Sequence, residues 1–291
     1  MLNTMSSRLK EVPVSETFPR GHFYSPIPDM EEVDERLFAG AFENVLSVDE
    51  HEVMALAAEV FGYSYELAKR VNSGASLFEW CNTQFPPADA FAYYGILRKL
   101  KPKRVIEVGS GYSTHVAMEA VSCNGYGEIT CIEPFPRDFL QAEKRISLIE
   151  KKLQDVATEK FQQLQAGDIL FVDSSHQVKC QSDVLEILFR VCDALNAGVF
   201  IHFHDIFFPD DYPYFWLKES GLFFNEQYFL LAFLKDNPNY RVRLPNAYLV
   251  RSMKDKYEQW LTGIHQPANE GFVNQTHKFI KAGSFWIEKL T

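Results

Sequence analysis

Two glycines flanked by polar residues follow an apolar run in the segment Val105-Ile106-Glu107-Val108-Gly109-Ser110-Gly111-Tyr112-Ser113-Thr114. Glycines at the junction of a strand and a helix let the backbone approach a nucleotide-like ligand closely. Glu107 stands two residues before the first glycine, where a carboxylate repels a pyrophosphate but suits an ammonium group. We therefore expect this turn to bind a ligand that carries a positive amino group. The expected contacts are Glu107, Gly109, Ser110, Gly111, Tyr112 and Ser113.

A second acid, Glu133, ends the next apolar run, in Cys131-Ile132-Glu133-Pro134. Carboxylates at this place in nucleotide-binding α/β folds accept hydrogen bonds from ribose hydroxyls. Thr114 replaces the third glycine of the dinucleotide fingerprint. The two acids and the turn together favour a nucleoside that bears an amino group over a dinucleotide.

Polar residues also close two later apolar runs, Leu170-Phe171-Val172-Asp173-Ser174-Ser175-His176 and Ile201-His202-Phe203-His204-Asp205-Ile206. Ligands of open α/β sheets lie beyond the carboxyl ends of the strands. We therefore expect Asp173, His176, His204 and Asp205 to converge there as a catalytic cluster, with His176 or His204 as general base. His202 alternates to the opposite side of its strand from Phe203, which favours a structural role.

Hydrophobic periodicity indicates the elements that must position these residues. Strands and helices alternate along the chain, which predicts a parallel sheet. The predicted strands are Arg104–Val108, Ile129–Ile132, Lys152–Val156, Ile169–Val172, Val199–Phe203, Tyr240–Val250 and Ser284–Glu288. The predicted helices are Asp89–Leu100, His115–Val121, Arg137–Ser147, Thr158–Leu164, Ser182–Leu195 and Asn225–Leu234.

Over residues 85–291 these motifs resemble the class I S-adenosylmethionine-dependent methyltransferases, and residues 1–84 are then an N-terminal extension or cap. The resemblance implies an α/β, Rossmann-like, doubly wound sheet of seven strands in the order 3-2-1-4-5-7-6, with strand 7 antiparallel. It also implies S-adenosylmethionine as cofactor, with Asp155 at the adenine and Asp173 beside the cofactor. Within the family the sequence is most similar to bacterial small-molecule and sugar O-methyltransferases of the macrocin type, which implies a hydroxyl acceptor.

Catechol-type and macrocin-type relatives hold magnesium at the ends of strands four and five. Asp173 and Asp205 fit two of those places, but Ile206 cannot coordinate a metal and His204 suits the oxygen preference of magnesium poorly. We therefore predict no metal-binding residues. The sequence leaves open whether activity depends on a divalent metal.

Aromatic residues crowd the segment after the fifth predicted strand. We expect Tyr212 and Trp216 to form walls of an acceptor pocket. Phe229 and Phe233 are spaced four apart, which predicts that they pack a helix onto the sheet. The N-terminal segment 23–29 is expected to fold over the same cleft.

Composition restricts the partners. The chain of 291 residues carries a formal net charge of -10 and no basic run, which argues against nucleic acid. The N-terminus has no secretory apolar core, and no stretch is apolar enough for a membrane span, so we expect a cytoplasmic protein with a small-molecule acceptor. Five scattered cysteines are expected to be reduced and mostly buried thiols. The oligomeric state, including a homo-oligomer, is left open.

Two alternatives remain at this point. An NAD-dependent oxidoreductase uses a similar turn on a Rossmann fold, although Thr114 and Glu107 disfavour it. A non-catalytic homologue that binds the cofactor without transferring its methyl group is the other. The intact acids and glycines argue against it, and only turnover can exclude it.

Overall fold

The computed structural model describes residues 18–80, 82, 84–261 and 282–291. Seven strands form one sheet in the order β3-β2-β1-β4-β5-β7-β6. Their bounds are β1 (Arg104–Val108), β2 (Glu128–Ile132), β3 (Ile146–Ile149), β4 (Ile169–Val172), β5 (Phe200–Phe203), β6 (Tyr240–Pro245) and β7 (Phe285–Lys289).

The sheet is parallel except at β7, which runs antiparallel to both β5 and β6. In the register of the central strands, Glu107 pairs with Cys131 of β2 and with Phe171 of β4. The predicted strand order and the antiparallel last strand are confirmed. The reversal of strand order between β1 and β4 creates the crevice where ligands of such sheets bind.

Helices cover both faces of the sheet. The first group is α1 (Glu50–Phe61), α2 (Ser64–Asn72), α3 (Pro87–Leu100), α4 (Tyr112–Asn124) and α5 (Asp138–Ala142). A continuous helix follows β4, here called α6, in three pieces, Asp183–Glu186, a π-helical Ile187–Val191, and Cys192–Ala194. The later helices are α7 (Tyr214–Lys218), α8 (Glu226–Leu234), α9 (Asn246–Ser252) and α10 (Lys254–Leu261). Short 3-10 helices span Glu35–Leu37, Leu153–Asp155 and Thr158–Gln163.

The ends of the helices beside β1 follow from local chemistry. Pro87 occupies the first turn of α3, where its missing N–H is not needed. Gly125 ends α4 in the left-handed conformation, with its N–H bonded to the carbonyl of Val121. The segment from β1 to β2 forms the strand, helix and strand that the sequence predicted.

Three predicted elements were wrong. The predicted helix Arg137–Ser147 is only Asp138–Ala142, and the third strand is Ile146–Ile149, not Lys152–Val156. Since β3 is an edge strand and half-exposed, it lacks the apolar run of the inner strands. The predicted late strand ends early at Pro245, and its second half forms the helix Asn246–Ser252.

Alternate residues of each strand serve two cores. In β1, Val105 packs in a core beneath α1 to α4, whereas Ile106 and Val108 pack in the core beneath α6 and α8. Buried residues of α1 and α2, among them Val53 and Leu67, belong to the same core as Val105. This part of the N-terminal extension is therefore packed onto the sheet.

Among the described residues, no helix combines the length and the apolar character needed to cross a bilayer. The described cysteines are free thiols: Cys131 and Cys192 are buried, Cys123 is half-buried and Cys180 is exposed. Cys81 lies outside the described residues.

Candidate active site

The turn between β1 and α4 touches the end of β4. Gly109 has a φ of +78°, and a side-chain carbon added there would fall 1.7 Å from the carbonyl oxygen of Asp173. A carbon added at Gly111 would meet nothing within 4 Å. Gly109 is therefore required by the fold, whereas the space beside Gly111 is open to a ligand.

Glu107 lies beneath this turn and is fully buried. Its carboxylate accepts hydrogen bonds from Tyr93 Oη at 2.9 Å and from Thr114 Oγ1, and Cys131 Sγ lies 3.7 Å away. Burial raises the pKa of Glu107 to about 7. The carboxylate thus supports the turn from within the protein, and its predicted contact with an ammonium group stays a prediction.

Glu133 reaches the turn from the end of β2. Its carboxylate accepts hydrogen bonds from the backbone N–H of Ser110 at 3.3 Å and of Phe135 at 2.8 Å. A carboxylate offers about four acceptor positions, and this side chain is only partly buried. Burial raises its pKa. Glu133 therefore has capacity to accept further hydrogen bonds from a ligand's hydroxyl groups.

The other predicted cofactor contacts surround the start of α4. Tyr112 begins the helix, and its ring lies 4.9 Å from the Arg137 guanidinium carbon, while Ser113 is buried. The positive end of the helix dipole suits a carboxylate here. Asp155 does not end a strand as predicted, because it lies in a 3-10 helix after β3, where it is exposed.

The four predicted catalytic residues converge at the ends of β4 and β5. His176 Nε2 lies 3.3 Å from Asp173 Oδ1 and 3.5 Å from Asp205 Oδ2. His204 Nδ1 lies 3.5 Å from Asp173 Oδ1 and 3.6 Å from Asp205 Oδ1. Two imidazoles therefore face the same pair of carboxylates.

Two further carboxylates, which the sequence analysis missed, face the far nitrogens of these rings. Glu226 Oε2 lies 2.8 Å from His176 Nδ1, and Asp89 Oδ2 lies 3.3 Å from His204 Nε2. Both acids are almost fully buried. A polar residue at the first turn of an apolar helix is the one sequence signal that both share, and it is common among ordinary helix caps.

These contacts set the ionisation of the cluster. Burial alone would lower the pKa of His176, but hydrogen bonds to Asp173 and Glu226 outweigh it and raise that pKa well above its usual value. Burial is likewise outweighed at His204 by the charges of Asp205 and Asp173. The raised pKa of each ring favours its imidazolium form, so a ring that serves as base must first release a proton.

The ionisation of the carboxylates follows the same balance. At Asp173, burial is outweighed by the charge of His204 and the hydrogen bond from His176, so its pKa is well below the usual range. At Asp205, burial dominates and raises the pKa. The side chain of Asp173 is 30% exposed, against 9% for His176 and 4% for His204. Asp173 is therefore the member of this cluster most accessible to a ligand.

His202 lies in the core beside this cluster, with its ring centroid 5.9 Å from that of His204. Its Nε2 is 2.8 Å from Ser284 Oγ, and its ring stacks on Phe171 with centroids 4.0 Å apart. Burial, aided by the charge of His204, lowers its pKa well below the usual value. It is therefore a neutral ring packed between strands.

The aromatic segment differs from its predicted arrangement. Tyr212 is buried, and its hydroxyl accepts from the backbone N–H of Gln227 at 2.9 Å. Phe229 is 43% exposed and does not pack onto the sheet, whereas Phe233 packs against the core beneath α6 and α8. A cavity of about 430 Å³ lies beside this segment. Its lining residues are Glu35, Phe38, Ala39, Asp210, Asp211, Tyr214, Phe215 and Glu219. That Tyr212 and Trp216 form walls of an acceptor pocket stays a prediction.

Arg20, which precedes the segment 23–29, contacts the aromatic segment, because its guanidinium carbon lies 5.9 Å from the Phe223 ring. Phe23 itself is 80% exposed. Within the part of the chain that the structure describes, no group of three or more His, Cys, Asp or Glu side chains has an arrangement suited to hold a metal ion.

A family model for a methyltransferase domain matches residues 106–206 of this chain. A protein of unassigned function from Archaeoglobus fulgidus is 32% identical over 174 residues, which are 54% of this chain and 77% of that protein. The matched domain contains the glycine turn, Glu133 and the ends of β4 and β5.

Solved methyltransferase structures are more distant. An SAH-bound methyltransferase from Podospora anserina is 17% identical with a TM-score of 0.41, covering 84% of this chain and 98% of that one. The plantazolicin methyltransferase BpumL in complex with SAH is 12% identical with a TM-score of 0.44, covering 83% of this chain and 99% of that one. Such low similarity carries no argument about function. The domain match shows a methyltransferase domain in residues 106–206, and the observed strand order is that of the class I S-adenosylmethionine-dependent methyltransferases.

Proposed function

We propose that this protein transfers a methyl group from S-adenosylmethionine to a hydroxyl oxygen of a small-molecule or sugar-containing acceptor. One observation carries the proposal: the open space beside Gly111 lies at the same sheet edge as the cluster of two imidazoles and two carboxylates. Donor and acceptor would then occupy adjoining parts of one crevice.

On the donor side, the methionine carboxylate suits the start of α4, where the helix dipole is positive. Glu133 would accept hydrogen bonds from the ribose hydroxyls, since two of its acceptor positions are used by Ser110 and Phe135. Glu107 holds the turn in shape through Tyr93 and Thr114. Asp155 stays the proposed partner of the adenine.

On the acceptor side, the bound cofactor supplies an electrophilic methyl group on a sulfonium. Asp173, being the most exposed member of the cluster, would orient the acceptor hydroxyl. When the acceptor oxygen takes the methyl group and S-adenosylhomocysteine leaves, the hydroxyl proton would pass to the cluster, where Nε2 of a deprotonated His176 is the proposed proton acceptor. Positioning supplies most of the rate acceleration in such an in-line displacement.

The charge of the cluster restricts the acceptor. Four carboxylates, Asp89, Asp173, Asp205 and Glu226, surround two imidazoles. An anionic acceptor would be repelled by the excess negative charge, whereas a neutral polyol or a sugar would not. This favours a hydroxylated acceptor without phosphate or carboxylate groups.

Calorimetry with S-adenosylhomocysteine tests the donor half. We expect micromolar binding to the wild type and at least tenfold weaker binding to Glu133→Ala, with no heat from NAD. Absence of binding at high micromolar ligand, or binding of NAD instead, would overturn the donor assignment.

Turnover tests the acceptor half. Incubation of the protein with ¹³C-methyl-labelled S-adenosylmethionine and a panel of hydroxylated small molecules should yield a methyl group bonded to oxygen, which NMR distinguishes from methyl on nitrogen or carbon. Cofactor binding without turnover of any acceptor would instead favour a non-catalytic homologue. Methyl bonded to nitrogen or carbon would correct the proposed reaction.

A further inference from the structure

Glu226 is held against His176 by both its side chain and its backbone. Its carboxylate oxygen Oε2 lies 2.8 Å from His176 Nδ1. The backbone N–H groups of Asn225 and Glu226 donate to the carbonyl oxygen of His176 at 3.1 Å and 3.3 Å. The Asn225 side chain in turn accepts from Val178 N at 2.6 Å. The start of α8 therefore fixes the position of His176.

The backbone at His176 is strained. Its φ of +57° lies in the left-handed region, which residues other than glycine rarely adopt. Such a conformation is unfavourable and persists only where surrounding contacts impose it. Here the contacts from α8 impose it, and they place the imidazole between Glu226 on one side and Asp173 and Asp205 on the other.

Glu226 is not needed to attach α8 to the rest of the protein. The next residue, Gln227, already bonds the loop after β5: its side chain accepts from Phe207 N and donates to Asp210 O at 3.1 Å, and its backbone N–H donates to Tyr212 Oη. Glu226 is 1% exposed, and its second oxygen, Oε1, has no hydrogen-bond partner among the described residues. A buried carboxylate with an unused oxygen costs stability, so its contact with His176 is its distinctive contribution.

We propose that Glu226 is a positioning residue that keeps a proton on His176 Nδ1 and turns Nε2 toward Asp173 and Asp205. When the ring loses one of its two protons, we expect it to lose the one on Nε2, because the contact of Nδ1 with Glu226, at 2.8 Å, is shorter than those of Nε2 with Asp173 and Asp205, at 3.3 and 3.5 Å. The lone pair of Nε2 then faces the acceptor side of the crevice. The role of this lone pair as acceptor of the hydroxyl proton rests on the proposed function, whereas the position of the ring does not.

The groups that face the His176 ring come from three elements. Asp173 follows β4, Asp205 follows β5, and Glu226 begins α8, while the Phe224 ring lies with its centroid 4.9 Å from that of His176. All three carboxylates favour the charged ring. Removing the charge of Glu226 should therefore lower the pH at which the ring titrates, and it should weaken the preference for Nδ1–H.

NMR of ¹⁵N-histidine-labelled full-length protein tests this without any acceptor, with His176→Gln used to assign the resonance. In the wild type we expect the neutral ring to carry its proton on Nδ1. In Glu226→Gln the titration midpoint should fall by about one pH unit or more, as expected when one nearby opposite charge is lost. The matched control Glu150→Gln removes an exposed carboxylate and should shift nothing.

A second variant, Glu226→Asp, keeps the charge but shortens the side chain, and it should give a midpoint between those of the wild type and Glu226→Gln. An unchanged midpoint in both variants, or a neutral wild-type ring protonated on Nε2, would overturn the role of Glu226. Since this titration needs no cofactor, its outcome is independent of the calorimetry. A shifted midpoint together with failed cofactor binding would refute the proposed function alone.

Discussion

The glycine turn and the histidine cluster meet at one edge of the sheet but are built on different principles. The turn depends on missing atoms: Gly109 leaves room for the carbonyl of Asp173, and Gly111 leaves room for a ligand. The cluster depends on balanced charge, with each imidazole between carboxylates. In the turn, Gly109 is required by the fold and Gly111 faces the crevice. In the cluster, Asp89 and Glu226 differ in a similar way, so paired substitutions can separate structural from functional roles.

The same division holds within the cluster. Asp89 accepts hydrogen bonds from Asn246 Nδ2, Gly283 N and Ser284 N, each at 2.9 Å, besides facing His204. It thereby ties α3 to the starts of α9 and β7. Glu226 contacts His176 through Oε2, and its other carboxylate oxygen, Oε1, has no hydrogen-bond partner among the described residues. We infer that the contact between Asp89 and His204 stabilises the fold, while the contact between Glu226 and His176 sets the orientation and protonation of the His176 ring.

The largest effect is expected for Gly109→Ala. The added carbon would overlap the carbonyl of Asp173 and would also require a left-handed φ, so the free energy of unfolding should fall by about 4 kcal/mol or more. Urea denaturation measures it. The control Gly111→Ala should lose no more than about 1 kcal/mol yet weaken S-adenosylhomocysteine binding at least tenfold. Equal stabilities of the two variants would refute the distinction.

Asp89→Asn should come next. It leaves two backbone N–H groups and a charged His204 facing an amide, and removal of one partner from a buried charged network costs about 3 kcal/mol. The urea midpoint should fall accordingly. A loss below about 1 kcal/mol would show that Asp89 does not anchor this part of the fold.

The pH dependence of stability should be moderate. Since the pKa values of His176 and His204 are raised, their contribution is fully present below about pH 6.5 and is lost as pH rises through the folded-state pKa. Between about pH 7 and pH 9, before tyrosines ionise, the free energy of unfolding should fall by about 2 kcal/mol. His204→Gln should flatten this slope. An identical slope in the wild type and in the variant would contradict the assigned charge.

The smallest effect on stability is expected for Glu226→Gln. The amide oxygen can still accept from His176 Nδ1–H, and the unused buried carboxylate oxygen is removed. The free energy of unfolding should change by no more than about 1 kcal/mol in either direction. A loss as large as that of Asp89→Asn would mean that both pairs serve the fold.

Local patterns predicted the elements around the glycine turn well. The segment from β1 to β2 is continuous in sequence, and its apolar runs, glycines and helix stops all indicate the same structure. The ends of β4 and β5 were predicted because strand ends meet at one edge of a parallel sheet. This is why the sequence alone predicts that Asp173, His176, His204 and Asp205 lie together.

The missed features depend on tertiary contacts. Asp89 and Glu226 lie on helices far along the chain from the strand ends they reach, and only packing brings them to His204 and His176. The charge of the two rings was also missed, since it follows from those buried carboxylates. The edge strand β3 is half-exposed and has few apolar residues. The charged residues before it therefore predicted a helix that ran into the strand.

The most direct test of the central claim is a crystal structure of the protein with bound S-adenosylhomocysteine. We predict that the amino acid part will lie against the Gly109–Gly111 turn, that Glu133 will accept from the ribose hydroxyls, and that Asp173 and His176 will border the empty volume beside the sulfur. A ligand bound elsewhere, or a sulfur that faces away from Asp173 and His176, would contradict the account.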